Sequence, residues 1–374
     1  MRVLIIGAGL AGPCLAHGLR SHGHDVRLFE RDGAVDARAQ GYRIHINGDG
    51  DAALRTWLPT AAYEQAVATS CRAGGGVTMT GPDLREFTAI PLPPDAAGIT
   101  VDRLTLRRIM LQGLTDSVRF GAGFSRYELP EDGTVRLLLT DGSVAEGDLL
   151  VATDGVNSGV RRQLLPHFPV TAYDSRLIYG RTPLTARARE LTPPPALDGF
   201  LGVLGPDGRG LALAAQRFRR NPAELGLPPA EDYLMWGLTA PAGRCGPDFF
   251  RLGAAELLEL AADIVADWAP SLGALLRLAE PGYLVPAGIQ ASARPEPWPP
   301  GPVTLVGDAA HPMPPAGLSA GAALHDAGLL AARLTSGAPL LDAVRRYERE
   351  MLDHGFAVVA RAVRNHAGEY GDPP

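Results

Sequence analysis

Three short stretches carry the residues best suited to chemistry. The first is Gly7-Ala8-Gly9-Leu10-Ala11-Gly12, placed directly after the apolar run Val3-Leu4-Ile5-Ile6. A buried strand that runs into G-x-G-x-x-G and then a helix is a pyrophosphate cradle. Gly7 permits the tight turn, Gly9 lets backbone approach a phosphate that a β-carbon would block, and Gly12 lets the helix pack close to the strand. The helix start adds unpaired N–H groups and a positive dipole end. Glu30 ends a second apolar run, 23 residues past Gly7. That is near the roughly 20 residues expected for an acid that holds a ribose hydroxyl. The second stretch runs from Asp154-Gly155 through Ser158 to Arg161. An Asp-Gly turn there leads into a short helix with Ser158 as N-cap. The third is Gly307-Asp308-Ala309-Ala310-His311, which follows a short apolar strand and precedes a long helix.

Bulk properties bound the rest. The chain has 374 residues, 46% of them hydrophobic, and a net charge of −6. Its arginines are scattered among acids, so no basic stripe points to nucleic acid. No apolar run approaches the roughly 18 residues that would span a membrane. The opening run is short and broken by glycines, so a signal peptide is not expected. Cys14, Cys71 and Cys245 form neither a metal pattern nor a disulfide framework, which makes a reducing cytoplasm the expected compartment. All 35 basic residues are arginine. That excludes a lysine Schiff base, a lysine P-loop and a Ser-Lys dyad.

The elements that must position these stretches read as follows. Residues 3–6 and 26–29 are strands around a helix at 12–21. Residues 41–46 alternate like a strand, and 49–58 look helical. Strand-like fragments lie at 77–80 and 86–90, and a helix with apolar spacing covers 102–114. Residues 135–139 and 144–151 read as a hairpin about Asp141-Gly142. Strand candidates at 177–182, 200–204, 210–216 and 233–238 predict a second, antiparallel sheet, with helices at 254–268 and 271–278. Residues 302–306 form a last strand, 319–334 and 341–364 the closing helices, and the final residues are expected to fray. The expected class is α/β: a Rossmann-like domain on a parallel sheet, formed by residues 1–70, 95–165 and 296–374. It is interleaved with a substrate domain on a largely antiparallel sheet, residues 71–94 and 166–295.

In this order, the three stretches resemble the group A flavoprotein monooxygenases, the fold of para-hydroxybenzoate hydroxylase. The resemblance covers almost the whole chain, to about Arg364, without the thioredoxin-like domain of some larger members. It implies FAD as cofactor, with NADPH or NADH as transient reductant, O2 as co-substrate and a bulky organic molecule as substrate, possible aromatic or polyketide scaffolds included. It assigns Asp308 to the ribityl hydroxyls and Gly317, Leu318 and Ser319 to the flavin ring. Asp154, Gly155 and Arg161 fall to the phosphate and nicotinamide region, Arg103 to the phosphates, and Arg31 to the adenosine half. Tyr42 and Arg43 would lie on the route to the substrate, with His45 as a further site-lining residue. His311 is expected to be structural. Oxygen transfer through a flavin C4a-(hydro)peroxide needs no nucleophilic side chain, consistent with the lack of any Ser-His-Asp or metal pattern.

Two positions depart from the family run: Ser319 stands where glycine is usual, and Gly321 where asparagine is usual. They imply an altered flavin seat and keep open a non-redox cyclase, or an oxidase or dehydrogenase of the same fold. A plain NAD-dependent dehydrogenase is a further alternative. Phe200, Phe218, Trp236, Phe249, Phe250 and Tyr283 are candidates to line a substrate pocket.

Overall fold

The computed structural model describes residues 1–38, 41–72, 76–85, 87–90 and 98–370. Parts of the expected substrate segment 71–94, with 95–97 and the tail 371–374, lie outside the described residues.

Arg2–Ile6 is buried on both faces from Val3 onward, as its continuous apolar sequence requires. It sits at the middle of a five-stranded sheet, between Leu149–Ala152 and Asp25–Phe29, with Val303–Leu305 and Val118–Arg119 at the edges. Every pairing in this sheet is parallel. Helices Ala11–Arg20 and Ser319–Leu334 pack together beside it. Leu4, Ile5, Leu15, Leu28, Leu150 and Leu330 are fully enclosed in this layer. Each such side chain contributes about 1.5–3 kcal/mol.

A seven-stranded sheet runs in the order Val285–Ser292, Val170–Pro183, Tyr233–Pro241, Gly210–Gln216, Phe200–Leu204, Val77–Thr80, Phe87–Ile90. All its pairs are antiparallel except Phe200–Leu204 with Val77–Thr80. Its core is separate and centres on Trp236, with Phe249 and Trp268. Trp236 lies so close over the strand beside it that a β-carbon on Gly180 would fall 2.2 Å from the ring. The fold is therefore the α/β class that the periodicities predict.

Several elements differ from expectation, and three of them have a clear physical reason. The strand expected at 144–151 is two strands: Val144–Gly147 closes the Asp141-Gly142 hairpin, and Leu149–Ala152 belongs to the parallel sheet. The chain changes sheets at Asp148, whose carboxylate accepts the Arg2 amide at 2.6 Å. Helix Thr60–Ala68 was not expected, because only Ala62 and Ala66 are buried on it and no apolar stripe marks it. Strand Val285–Ser292 was missed because Pro286 and Gly288 interrupt it; it is an edge strand, where both are tolerated.

Glu348 lies in the long closing helix, buried, and accepts from Thr304 Oγ1 at 2.9 Å and Trp298 Nε1 at 3.1 Å. Burial pushes its carboxyl up from 4.5 to about 7, against those two hydrogen bonds. The folded protein thus keeps this proton where the unfolded chain has released it. The stability it contributes is present below 4.5 and is lost as pH rises toward 7. We expect Glu348→Gln to gain on the native protein by on the order of 3 kcal/mol between about pH 5 and about pH 8. Urea midpoints at both pH values measure it, and a pH-independent difference would contradict it.

Candidate active site

The three stretches converge on one cavity of about 1280 Å³. This exceeds the roughly 300–1,000 Å³ of a site for one drug-sized ligand. Its wall includes Gly9, Leu10 and Ala11, then Thr153 and Gly155, then Asp308 and the run Gly317 to Ala320.

The first loop is held by a buried ion pair. Gly7 has φ +106°, and a β-carbon there would fall 2.4 Å from the Thr153 carbonyl. A β-carbon on Gly12 would fall 2.1 Å from the Gly7 carbonyl. By contrast, one on Gly9 meets nothing nearer than Arg103 Nη2 at 3.8 Å. Gly7 and Gly12 therefore make the turn, while Gly9 keeps its outer side open toward the cavity. Glu30 Oε2 accepts the Ala8 amide at 2.9 Å and Arg107 Nη2 at 3.0 Å, and Oε1 accepts the Asp32 amide at 3.0 Å. Arg107 also donates to the carbonyls of Ala8 and Val35. Sequence reasoning passed over Arg107, which looks like any helix-surface arginine; nothing local marks it as buried.

Arg103, capped into its helix by the Asp102 side chain, lies beside Gly9 and over the ring of Tyr42. Arg31 is exposed and lies off the cavity wall. Asp154 accepts the Gly159 amide at 2.9 Å and anchors the turn, with Gly155 at φ +80° on the wall. Arg161 is engaged elsewhere than on the wall. Its guanidinium donates to the carbonyls of Val156, Asp308 and Ala309 and so straps the second loop to the third.

Asp308 reaches the cavity with Oδ1 buried and without a hydrogen-bond partner. Burial pushes its carboxyl above the ordinary range, opposed by His311 and Arg103. Gly307 behind it has φ +62° and donates its amide to Asp326 Oδ2, which also bonds His311 Nε2 at 2.6 Å. Both side chains of that pair are fully buried. Gly317 follows at φ +69° with open space at its β-carbon position. Helix Ser319–Leu334 begins there with no side-chain cap on Leu318 and no acid in its first turn. Helix Ala11–Arg20 also starts uncapped, at Leu10. Two positive helix ends thus meet the same cavity.

Gly321 has a local reason to be glycine. Asn47 Oδ1 lies 2.0 Å from where its β-carbon would be, and the same Asn47 caps helix Gly48–Trp57 through the Gly50 amide. The amide side chain absent from position 321 is replaced in space by that of Asn47. Gly321→Ala should lower the melting temperature by several degrees, roughly 2 kcal/mol of overpacking. Asn47→Gly in the same chain should restore part of it. Thermal scans of the three variants decide, and an unshifted single variant would contradict the packing.

Tyr42, Arg43 and His45 also line the cavity. Tyr42 stacks on Tyr179 with centroids 5.1 Å apart and planes 6° apart. His45 Nδ1 lies 3.2 Å from Thr100 Oγ1; burial and then the Arg43 charge hold its imidazole below the ordinary value. Of the six aromatics expected near a pocket, only Phe200 lines it. Trp236 and Phe249 are core, and Phe250 is exposed.

The residues present fit a flavin dinucleotide: an open glycine cradle with two uncapped helix ends for phosphates, and an unpartnered buried carboxylate for hydroxyls. Among the described residues, no group of three His, Cys, Asp or Glu could hold a metal ion, and no helix is long and apolar enough to cross a membrane.

Comparison with known proteins agrees with this geometry. A family model of NAD(P)-binding Rossmann-like domains matches residues 5–67. The 3-amino-4-hydroxybenzoate 2-monooxygenase of Streptomyces cremeus is 30% identical, over 100% of this chain and 88% of its own length. A dual O-methyltransferase/FAD-dependent monooxygenase of Phaeosphaeria nodorum is 31% identical over 88% of this chain; the chain spans only 39% of that relative's length. Among solved structures, a candidate FAD-containing monooxygenase from Photorhabdus luminescens superposes with a TM-score of 0.86 at 29% identity, covering 99% of this chain and 98% of the other. The chain belongs to the FAD-dependent monooxygenase family.

Proposed function

We propose that this protein binds FAD in the cavity, takes electrons from NADPH or NADH, and inserts one atom of O2 into a bulky organic substrate. The observation that carries the proposal is the convergence of three separated loops on one cavity large enough for cofactor and substrate together. Gly7 to Gly12 and Arg103 hold the pyrophosphate, and Asp308 accepts from ribityl hydroxyls. Gly317, Leu318 and Ser319 present backbone to the flavin ring at a positive helix end. Glu30 serves the loop and, at its remaining lone pairs, the ribose. Residues 1–70, 95–165 and 296–374 make the cofactor domain, and 71–94 and 166–295 the substrate domain.

FAD supplies the electron transfer and oxygen activation when bound. The chain's own residues orient and enclose. Asp308 and the two helix ends fix the cofactor, the Tyr42–Tyr179 stack sets a flat wall for substrate, and the apolar lining excludes water.

The test is anaerobic addition of NADPH or NADH to the FAD-loaded protein, followed by isotopically labelled O2. Bleaching of the flavin and label in the product are expected. A flavin that never bleaches in the presence of substrate would point to a non-redox cyclase. Bleaching with all the label in hydrogen peroxide would point to an oxidase.

A further inference from the structure

The cavity wall holds a half-buried cation, Arg43, whose guanidinium is in no ion pair among the described residues. Arg43 opens strand Arg43–Asn47 and lines the cavity, and its Nε is buried without a hydrogen-bond partner. Its cross-strand neighbour is Asp102. That carboxylate is already taken: Oδ1 accepts the Thr105 amide at 2.7 Å, and Oδ2 accepts the Tyr233 hydroxyl at 2.8 Å. The ionisable groups that act most on Arg43 are a thiol, Cys71, and a phenol, Tyr233. Among the described residues, no carboxylate forms an ion pair with Arg43.

Three further arginines close the same end. Arg72 Nε is spent on the Phe218 carbonyl and Arg219 Nε on the Ser70 hydroxyl, both neutral acceptors. Arg217 pairs with Asp198 at 2.7 Å, the only carboxylate beside these arginines on the wall among the described residues. Among the described residues, four guanidinium groups thus share one acid there. A desolvated guanidinium without a carboxylate partner is costly and is retained where a ligand completes it. The walls beside it are flat and apolar: the Tyr42–Tyr179 stack, Met79, Leu177 and Met235.

Resting on the monooxygenase reading above, we infer that the substrate is a planar organic anion whose ionised acid group is bound by the Arg43 guanidinium at the arginine-lined end of the cavity. The acid group held is a carboxylate. The guanidinium fork favours the carboxylate, which it can engage through two parallel N–H···O bonds. The arginine-rich mouth also draws anions in, so capture should weaken with salt.

The experiment uses the FAD-loaded protein and three probes: 1-hydroxy-2-naphthoate, its neutral carboxamide, and naphthalene-2-carboxylate, which has no hydroxyl. Binding is read by calorimetry and by perturbation of the flavin spectrum. Naphthalene-2-carboxylate and 1-hydroxy-2-naphthoate should each bind at least about tenfold more tightly than the carboxamide. That preference should vanish in Arg43→Gln and be partly kept in Arg43→Lys, with FAD affinity unchanged in both. If the hydroxy acid shows the preference and naphthalene-2-carboxylate does not, the carboxylate is held only with a ring hydroxyl beside it, and the inference stands for hydroxy acids. Equal affinity for acid and amide, no acid binding, a preference that survives Arg43→Gln, or loss of FAD from the variants would each overturn it. Should Arg43→Gln fail to fold, the wild-type ratio and Arg43→Lys still decide. Protein that takes up no FAD would instead refute the monooxygenase reading.

Discussion

Gly9→Val is expected to weaken FAD binding by about 100-fold or more while leaving the apoprotein's melting temperature nearly unchanged. The two effects separate because of what a side chain would meet. At Gly9, chain neighbours aside, a β-carbon meets only Arg103 Nη2 within 4 Å among the described residues, at 3.8 Å, so valine fits the free protein but occupies the space assigned to the pyrophosphate. A 100-fold loss is about 2.7 kcal/mol, well within what displacing a phosphate from backbone contact can cost. Gly12→Val should behave in the opposite sense. Its β-carbon falls 2.1 Å from the Gly7 carbonyl and 2.8 Å from Thr153 Oγ1, both fixed by the strand–helix junction. That change should cost more than about 3 kcal/mol and lower the yield of folded protein before any cofactor is added. Flavin titration and thermal scans of both variants make the comparison. A Gly9→Val protein that binds FAD normally would remove the cradle from the account.

Arg107→Met should be the most destabilising single change away from the glycines, by about 3–5 kcal/mol. Arg107 is almost wholly enclosed, with a 3.0 Å bond to Glu30 and bonds to two carbonyls. Methionine fills the stem but leaves the buried Glu30 carboxylate without its cation, with the Ala8 and Asp32 amides as its partners among the described residues. Breaking one side of such a pair costs more than replacing both. Glu30→Gln combined with Arg107→Met should therefore be less unstable than the sum of the single changes. Because Glu30 pins the Ala8 amide, the single change should also loosen the first loop and weaken FAD. Denaturant unfolding of the four proteins in the cycle measures the coupling; strict additivity would contradict it.

The contrast between these residues shows what the sequence could disclose. The G-x-G-x-x-G loop, the Asp141-Gly142 hairpin and helix Ser319–Leu334 were legible because each is specified by neighbours within a few positions. Arg107 and Arg161 were not, because their partners come from loops up to 99 and 148 residues away. Nothing local distinguishes a strap across carbonyls from a cation meant for phosphate. Strand Val285–Ser292 was hidden for a different reason: an edge position tolerates the proline and glycine that ordinarily end a strand. The Gly321 departure could be read as a loss from position 321 alone. Only the folded chain shows Asn47 occupying that space.

The account rests on one cofactor held by three loops, and titration of the purified apoprotein with FAD tests that most directly. Quenching of flavin fluorescence is expected to saturate at one FAD per chain, and Asp308→Ala should weaken the binding by at least about tenfold. Fluorescence that shows no saturable change, or an Asp308→Ala protein that binds as tightly as the native one, would contradict it.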